Sequence, residues 1–121
     1  MNLSESKPIF IQIKHWVEDH VLRGDWGAGY QLPSVREMSA TFRVNANTIV
    51  RTYEHLAFEG TIYSVRGVGY FVGDGARHSV IERRRKEFFE EQLPSFLRQL
   101  EVLDIDKEDI IRQIRQKYED K

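Results

Sequence analysis

The stretch SVREMSATFRVNANTIVRTYEHLAFEG, residues 34–60, decides the fold. Ser34 stands just before a short apolar-periodic segment, and Glu37 follows three residues later. A hydroxyl and a carboxyl at that spacing satisfy each other's backbone N–H groups and start a helix. Val35, Met38 and Phe42 give this helix, predicted over 35–42, one buried side. Arg43-Val44-Asn45 leaves room only for a tight connection. Asn45 is then the N-cap of a further helix over 46–59, in which Ile49, Tyr53, Leu56 and Ala57 share one face and which Gly60 stops. Two amphipathic helices joined this closely have the geometry of a helix-turn-helix. Its first helix crosses the DNA backbone, and its second enters the major groove by its N-terminus.

On the N-terminal side, Ile9, Ile13, Trp16, Val17 and Val21 form one stripe and predict a helix over 9–23, with Ser6 and Pro8 as start signals and Gly24 as stop. Residues 24–33 are a loop with Gly27, Gly29 and Pro33. On the C-terminal side, residues 61–65 and 69–72 are rich in β-branched and aromatic side chains, with Arg66-Gly67-Val68-Gly69 as a hairpin tip. Helices followed by a hairpin are the order of a winged helix, whose expected core includes Ile13, Trp16, Val17, Leu56 and Phe71. Gly73-Asp74-Gly75 marks an expected boundary, dividing a DNA-binding domain, 1–75, from a helical tail, 76–121. The tail reads as a long helix over 76–103, kinked or broken near residues 90–93 because Pro94 removes a hydrogen bond and crowds the preceding turn. A last helix follows Asp106, its N-cap, and carries Ile110, Ile111, Ile114 and Tyr118. The expected fold class is therefore mostly α with a small β-hairpin: a winged helix-turn-helix followed by a two-helix tail.

Composition narrows the function. The chain has 121 residues and no cysteine, which excludes disulfides, thiolate metal sites and thiol nucleophiles and fits the reducing cytoplasm. No apolar run can span a bilayer, and the polar first eight residues lack a signal-peptide core. His15, His20, His55 and His78 are scattered, without metal-ligand spacing, and there is no phosphate loop or nucleophile motif, so neither an enzyme nor a cofactor is expected. The net charge of −1 argues mildly against a nucleic-acid partner. Its distribution argues the other way: between residues 34 and 73 every basic residue is arginine (Arg36, Arg43, Arg51, Arg66), while Glu18, Asp19 and Asp25 lie earlier, where they can face away from DNA.

Asn45, Asn47 and Thr48 start the second helix of the pair, with Arg51 one turn on. Asparagine reads adenine through two hydrogen bonds, and a helix N-terminus favours phosphate. Arg66 at the hairpin tip is expected to enter a minor groove. Each residue also has a plainer reading: Asn45 as a cap, Asn47 and Thr48 as exposed positions, Arg66 as a solvated loop residue, and Gly67 and Gly69 as turn formers. Arg83-Arg84-Arg85-Lys86 reads as a solvated face paired with Glu87, Glu90 and Glu91, with contact to phosphates beside the wing as the alternative.

Leu32-Pro33-Ser34-Val35-Arg36, Val44-Asn45-Ala46-Asn47-Thr48-Ile49, Glu59-Gly60 and Gly67-Val68-Gly69-Tyr70-Phe71-Val72, in that order and spacing, resemble the GntR family of bacterial regulators. The Asn-x-Asn-Thr variant and the short tail resemble its YtrA subfamily. The resemblance implies that Ser34 and Arg36 at the first helix, Asn45, Asn47 and Thr48 at the recognition helix, and Gly67 and Gly69 at the wing tip contact DNA. It also implies a homodimeric repressor on an inverted-repeat operator of double-stranded DNA, often controlling a transporter operon. The chain departs from the family at Ala46 and at Val50, where many members carry arginine. Arg51 stands one residue later, about 100 degrees round the helix. Phe88, Phe89, Leu93, Phe96, Leu97 and Leu100 make an apolar set too large for a lone helical hairpin to cover, and they are expected to form the dimer interface. The sequence identifies no small-molecule effector. A winged helix used only for protein contact is the alternative, and it leaves the arginines and asparagines unexplained.

Overall fold

A computed structural model describes residues 7–119. The elements run α1 (Ile9–Arg23), α2 (Val35–Phe42), α3 (Ala46–Phe58), β1 (Ile62–Val65), β2 (Gly69–Val72), α4 (Ala76–Glu87), a π-helical turn (Phe88–Gln92), α5 (Leu93–Val102) and α6 (Lys107–Glu119). The chain is thus mostly helical, with one antiparallel hairpin in winged-helix order. Pro8 precedes α1 and Gly24 ends it, as expected; the start signal at Ser6 lies outside the described residues.

The first unit is built on α1, α2, α3 and the hairpin. Ile13, Val17 and Val21 of α1, Met38 of α2, and Ile49, Tyr53 and Leu56 of α3 are buried together with Ile62 and Val72. Trp16 is half-buried, edge-on to Trp26 and Phe42. Phe71 departs from the expected core. The register pairs Ile62 with Val72 and Tyr63 with Phe71, and side chains alternate along a strand. Val72 therefore faces the core, while Phe71 stacks on exposed Tyr63, their ring centroids 5.7 Å apart.

The boundary also differs from the expected one. The chain divides between Glu82 and Arg83, not after Gly75. The glycines do mark a loop, but Ala76 and Val80 of α4 are buried in the same core as Val17 and Leu56. A loop signal is local, whereas membership of a core is set by what the next helix packs against.

Two polar contacts tie the helices together. The Lys14 ammonium lies 2.9 Å from a Glu59 carboxylate oxygen, joining α1 to the end of α3. The Tyr53 hydroxyl donates to the Pro33 carbonyl over 2.7 Å, and burial pushes that phenol above its ordinary pKa. Tyr53→Phe leaves this carbonyl unmatched, and the expected cost is about 1–3 kcal/mol of stability. Urea denaturation should show a lower midpoint at an unchanged slope.

In the second unit, the amide of Leu93 reaches back to the Phe88 carbonyl, the wider hydrogen-bond spacing of a π turn. Pro94 lies next along and cannot donate, and its ring would crowd the Glu90 carbonyl in an ordinary α-helix. The expected irregularity near 90–93 is this widened turn. Asp106 caps α6 through its carboxylate, which accepts from the Glu108 amide at 3.3 Å.

Candidate nucleic-acid interface

The interface is assembled by two helix caps and one turn. Ser34 accepts from the Glu37 amide at 3.1 Å and donates its own N–H to the Glu37 carboxylate at 3.0 Å, completing the capping box. The Ser34 N–H and then its hydroxyl hold the Glu37 carboxyl below its ordinary pKa. Helix α2 ends on Arg43, whose φ of 55° turns the chain sharply. The Val44 amide donates to the Ser39 carbonyl, and the Ser39 hydroxyl donates to the Val44 carbonyl over 2.6 Å, which fixes the connection into α3.

Asn45 is the N-cap of α3, its carboxamide oxygen accepting from the Asn47 amide at 2.8 Å. A two-point adenine contact needs that oxygen, so the cap leaves Asn45 only its NH₂ to offer outward. Asn47 is exposed at the same end, and Thr48 is half-buried. Along α3, Ile49, Thr52, Tyr53 and Leu56 are buried, and the opposite ridge is Asn47, Arg51, Glu54 and Phe58, all exposed. Glu54 and Phe58 were not anticipated, although the 3.6-residue period places them there. Phe58 is 92% exposed, a large apolar side chain on the outward ridge.

Arg51, one residue beyond Val50, lies on the exposed ridge. Its guanidinium sits 4.2 Å above the Phe10 ring of α1. That contact, invisible to a reading of α3 alone, fixes one side of the arginine and leaves the residue exposed. Arg36, at the start of α2, is exposed and has no ion-pair partner among the described residues. Arg66 is likewise exposed, at the hairpin tip.

The tip is a turn closed by the Val68 amide on the Val65 carbonyl at 2.9 Å. Gly67 and Gly69 have φ of 78° and 146°, a region that L side chains rarely enter. The acidic residues ahead of the motif have partners or burial of their own. Glu18 is buried and presents no surface charge, and Asp25 lies 2.9 Å from the His20 ring, which lowers its pKa.

Histidines occur in local pairs, His55 with Glu59 and His78 with Glu82, and no group of three metal-ligating side chains gathers among the described residues. No described helix is long and apolar enough to cross a membrane. In the second unit, Phe88, Phe89, Phe96 and Leu97 are exposed by 41–56%, and Leu93 and Leu100 are half-buried.

The family model described as bacterial regulatory proteins, gntR family, matches residues 11–72, which contain both caps, the exposed ridge of α3 and the wing. The chain belongs to the GntR family. This GntR protein is a helix-turn-helix transcription regulator. It is 34% identical over 110 residues to the HTH-type transcriptional regulator YhcF of Bacillus subtilis (strain 168), covering 91% of this chain and 89% of that one. It is 35% identical over 77 residues to the HTH-type transcriptional repressor YtrA of the same organism, 64% of this chain and 59% of that one. Among solved structures, a putative GntR-family regulator from Bacteroides thetaiotaomicron superposes with a TM-score of 0.74 at 35% identity, over 93% of this chain and 97% of that one. The DNA-binding domain of AraR in complex with operator ORR3 matches 55% of this GntR chain and 80% of its own, at 29% identity and a TM-score of 0.53.

Proposed function

We propose that this chain is a homodimeric repressor acting in the cytoplasm on an inverted-repeat DNA operator, with residues up to Glu82 as the reading head and residues from Arg83 as the dimerising tail. One observation carries the reading. The exposed ends of α2 and α3 and the wing tip present arginine and amide donors, Arg36, Asn45, Asn47, Arg51 and Arg66, on the elements that a winged helix applies to DNA. The operator complex of AraR and the similarity to the repressor YtrA support the same assignment. The exposed side chains of Phe88, Phe89, Phe96 and Leu97, with half-buried Leu93 and Leu100, supply an apolar surface for a second copy.

Selection of bound duplexes from random DNA, followed by titration at several salt concentrations, tests this. The expected result is a two-fold-symmetric consensus and an affinity that falls steeply and log-linearly with salt. A protein-contact module would give neither. Within the consensus, Asn47→Ala is expected to relax the preference at one position in each half-site, since a good base contact discriminates by about 1–3 kcal/mol. An unchanged sequence logo would remove Asn47 from the base-reading set.

A further inference from the structure

We infer that Gln31 is the positioning residue of the wing, a strut outside the helix-turn-helix that sets where Arg66 is presented; its consequence for DNA rests on the wing contact proposed above. The loop before α2 does not merely connect. The Gly29 amide donates to the Val72 carbonyl at 2.8 Å, the Val72 amide to the Tyr30 carbonyl at 2.9 Å, and the Leu32 amide to the Tyr70 carbonyl at 2.9 Å. Gln31 pairs with Phe71 as an antiparallel bridge. The segment is thus a third edge laid along β2, and it anchors the Gln31 backbone beside the base of the wing.

From that anchor the side chain reaches toward the tip. The Gln31 NH₂ donates to the Val68 carbonyl over 3.2 Å, across 37 residues of sequence. Val68 is in the turn, two residues from Arg66, and its own amide closes that turn on Val65. A two-stranded hairpin with four residues per strand has little stability of its own at its tip. One side-chain hydrogen bond from a fixed backbone therefore selects among tip conformations. Gly69 fits the same design. A Cβ there would lie 3.0 Å from the Gln31 amide nitrogen, so the strut runs through space that a side chain at 69 would take. Gln31 is itself exposed and is not a member of the buried core, so loss of its side chain should leave the fold intact.

The test uses the full chain and Gln31→Ala, Gln31→Glu, Arg66→Ala and Gln31→Ala/Arg66→Ala variants. The probe is a duplex recovered by random selection with the wild-type protein. Two readouts are taken: amide hydrogen exchange at Gly67, Val68 and Gly69 in the DNA-free protein, and affinity for the duplex. Gln31→Ala and Gln31→Glu, which lacks the donor at nearly the same shape, are both expected to speed exchange at the tip at an unchanged thermal midpoint. Each should weaken binding by about 2- to 10-fold per head, the range of one net hydrogen bond. The double variant should bind no more weakly than Arg66→Ala. Unchanged exchange in both Gln31 variants would overturn the strut. Faster exchange with fully additive losses in the double variant would overturn positioning of Arg66. If Arg66→Ala binds as the wild type does while exchange still responds to Gln31, the failure lies in the proposed wing contact, and the strut stands without a role in DNA binding.

Discussion

A chain cut after Glu82 is expected to remain folded, to sediment as a monomer, and to bind its selected duplex about 10²–10⁴-fold more weakly than the full protein. The cut position follows from Ala76 and Val80, which are buried with the helices of the head; a cut at Gly75 would open that core instead. The affinity loss needs no lost base contact. With two heads joined, binding of the second half-site is intramolecular, and its effective concentration disappears with the tail. Phe89→Glu with Phe96→Glu is the milder form of the experiment, since it puts charge into the proposed apolar seam at a high desolvation cost. Sedimentation equilibrium and a titration on the same duplex read both. A double variant that stays dimeric at full affinity would mean that these rings pack within one chain.

Arg36→Ala is expected to have the next largest effect. The side chain is exposed at the first turn of α2, with no ion-pair partner among the described residues, so the thermal midpoint should move by no more than a few degrees. A charge-assisted hydrogen bond contributes about 1.5–3 kcal/mol, and a dimer loses it twice, so the selected duplex should be bound about 10²–10⁴-fold more weakly. Unaltered affinity combined with a large loss of stability would make Arg36 a structural residue. Arg36→Lys separates charge from shape: it should restore part of the affinity if a single phosphate is contacted, and little if the planar fork is read.

The features that were legible in the sequence are those decided within one turn of chain. The capping box of Ser34 and Glu37 and the caps at Asn45 and Asp106 need only neighbours three residues away or fewer, and they form as their spacing requires. The buried faces of α1, α2 and α3 follow from a period of 3.6, and Ile13, Val17, Met38, Ile49 and Leu56 occupy them. What the sequence concealed was set by distant partners. In a four-residue strand where Tyr70, Phe71 and Val72 are all apolar, composition cannot say which face is inward; pairing with Ile62 does. Burial of Glu18, placement of Arg51 over Phe10, the reach of Gln31 to Val68, and inclusion of the first turns of α4 in the head are likewise tertiary facts.

The caps at Ser34 and Asn45 impose a constraint on how this surface can drift through mutation. At each position the acceptor atom turns inward to a helix amide; Asn45 keeps its NH₂ outward, while Ser34 is engaged with Glu37 through both its hydroxyl and its N–H. For the helix alone, aspartate would serve about as well at either site. For a surface laid against phosphates it would not, because it brings a negative charge and no donor. The tolerated alphabet at 34 and 45 is therefore the overlap of two requirements, close to serine, threonine and asparagine. A natural variant carrying aspartate at either position should fold normally and be silent at the operator, a class of lesion that stability screens would pass unnoticed.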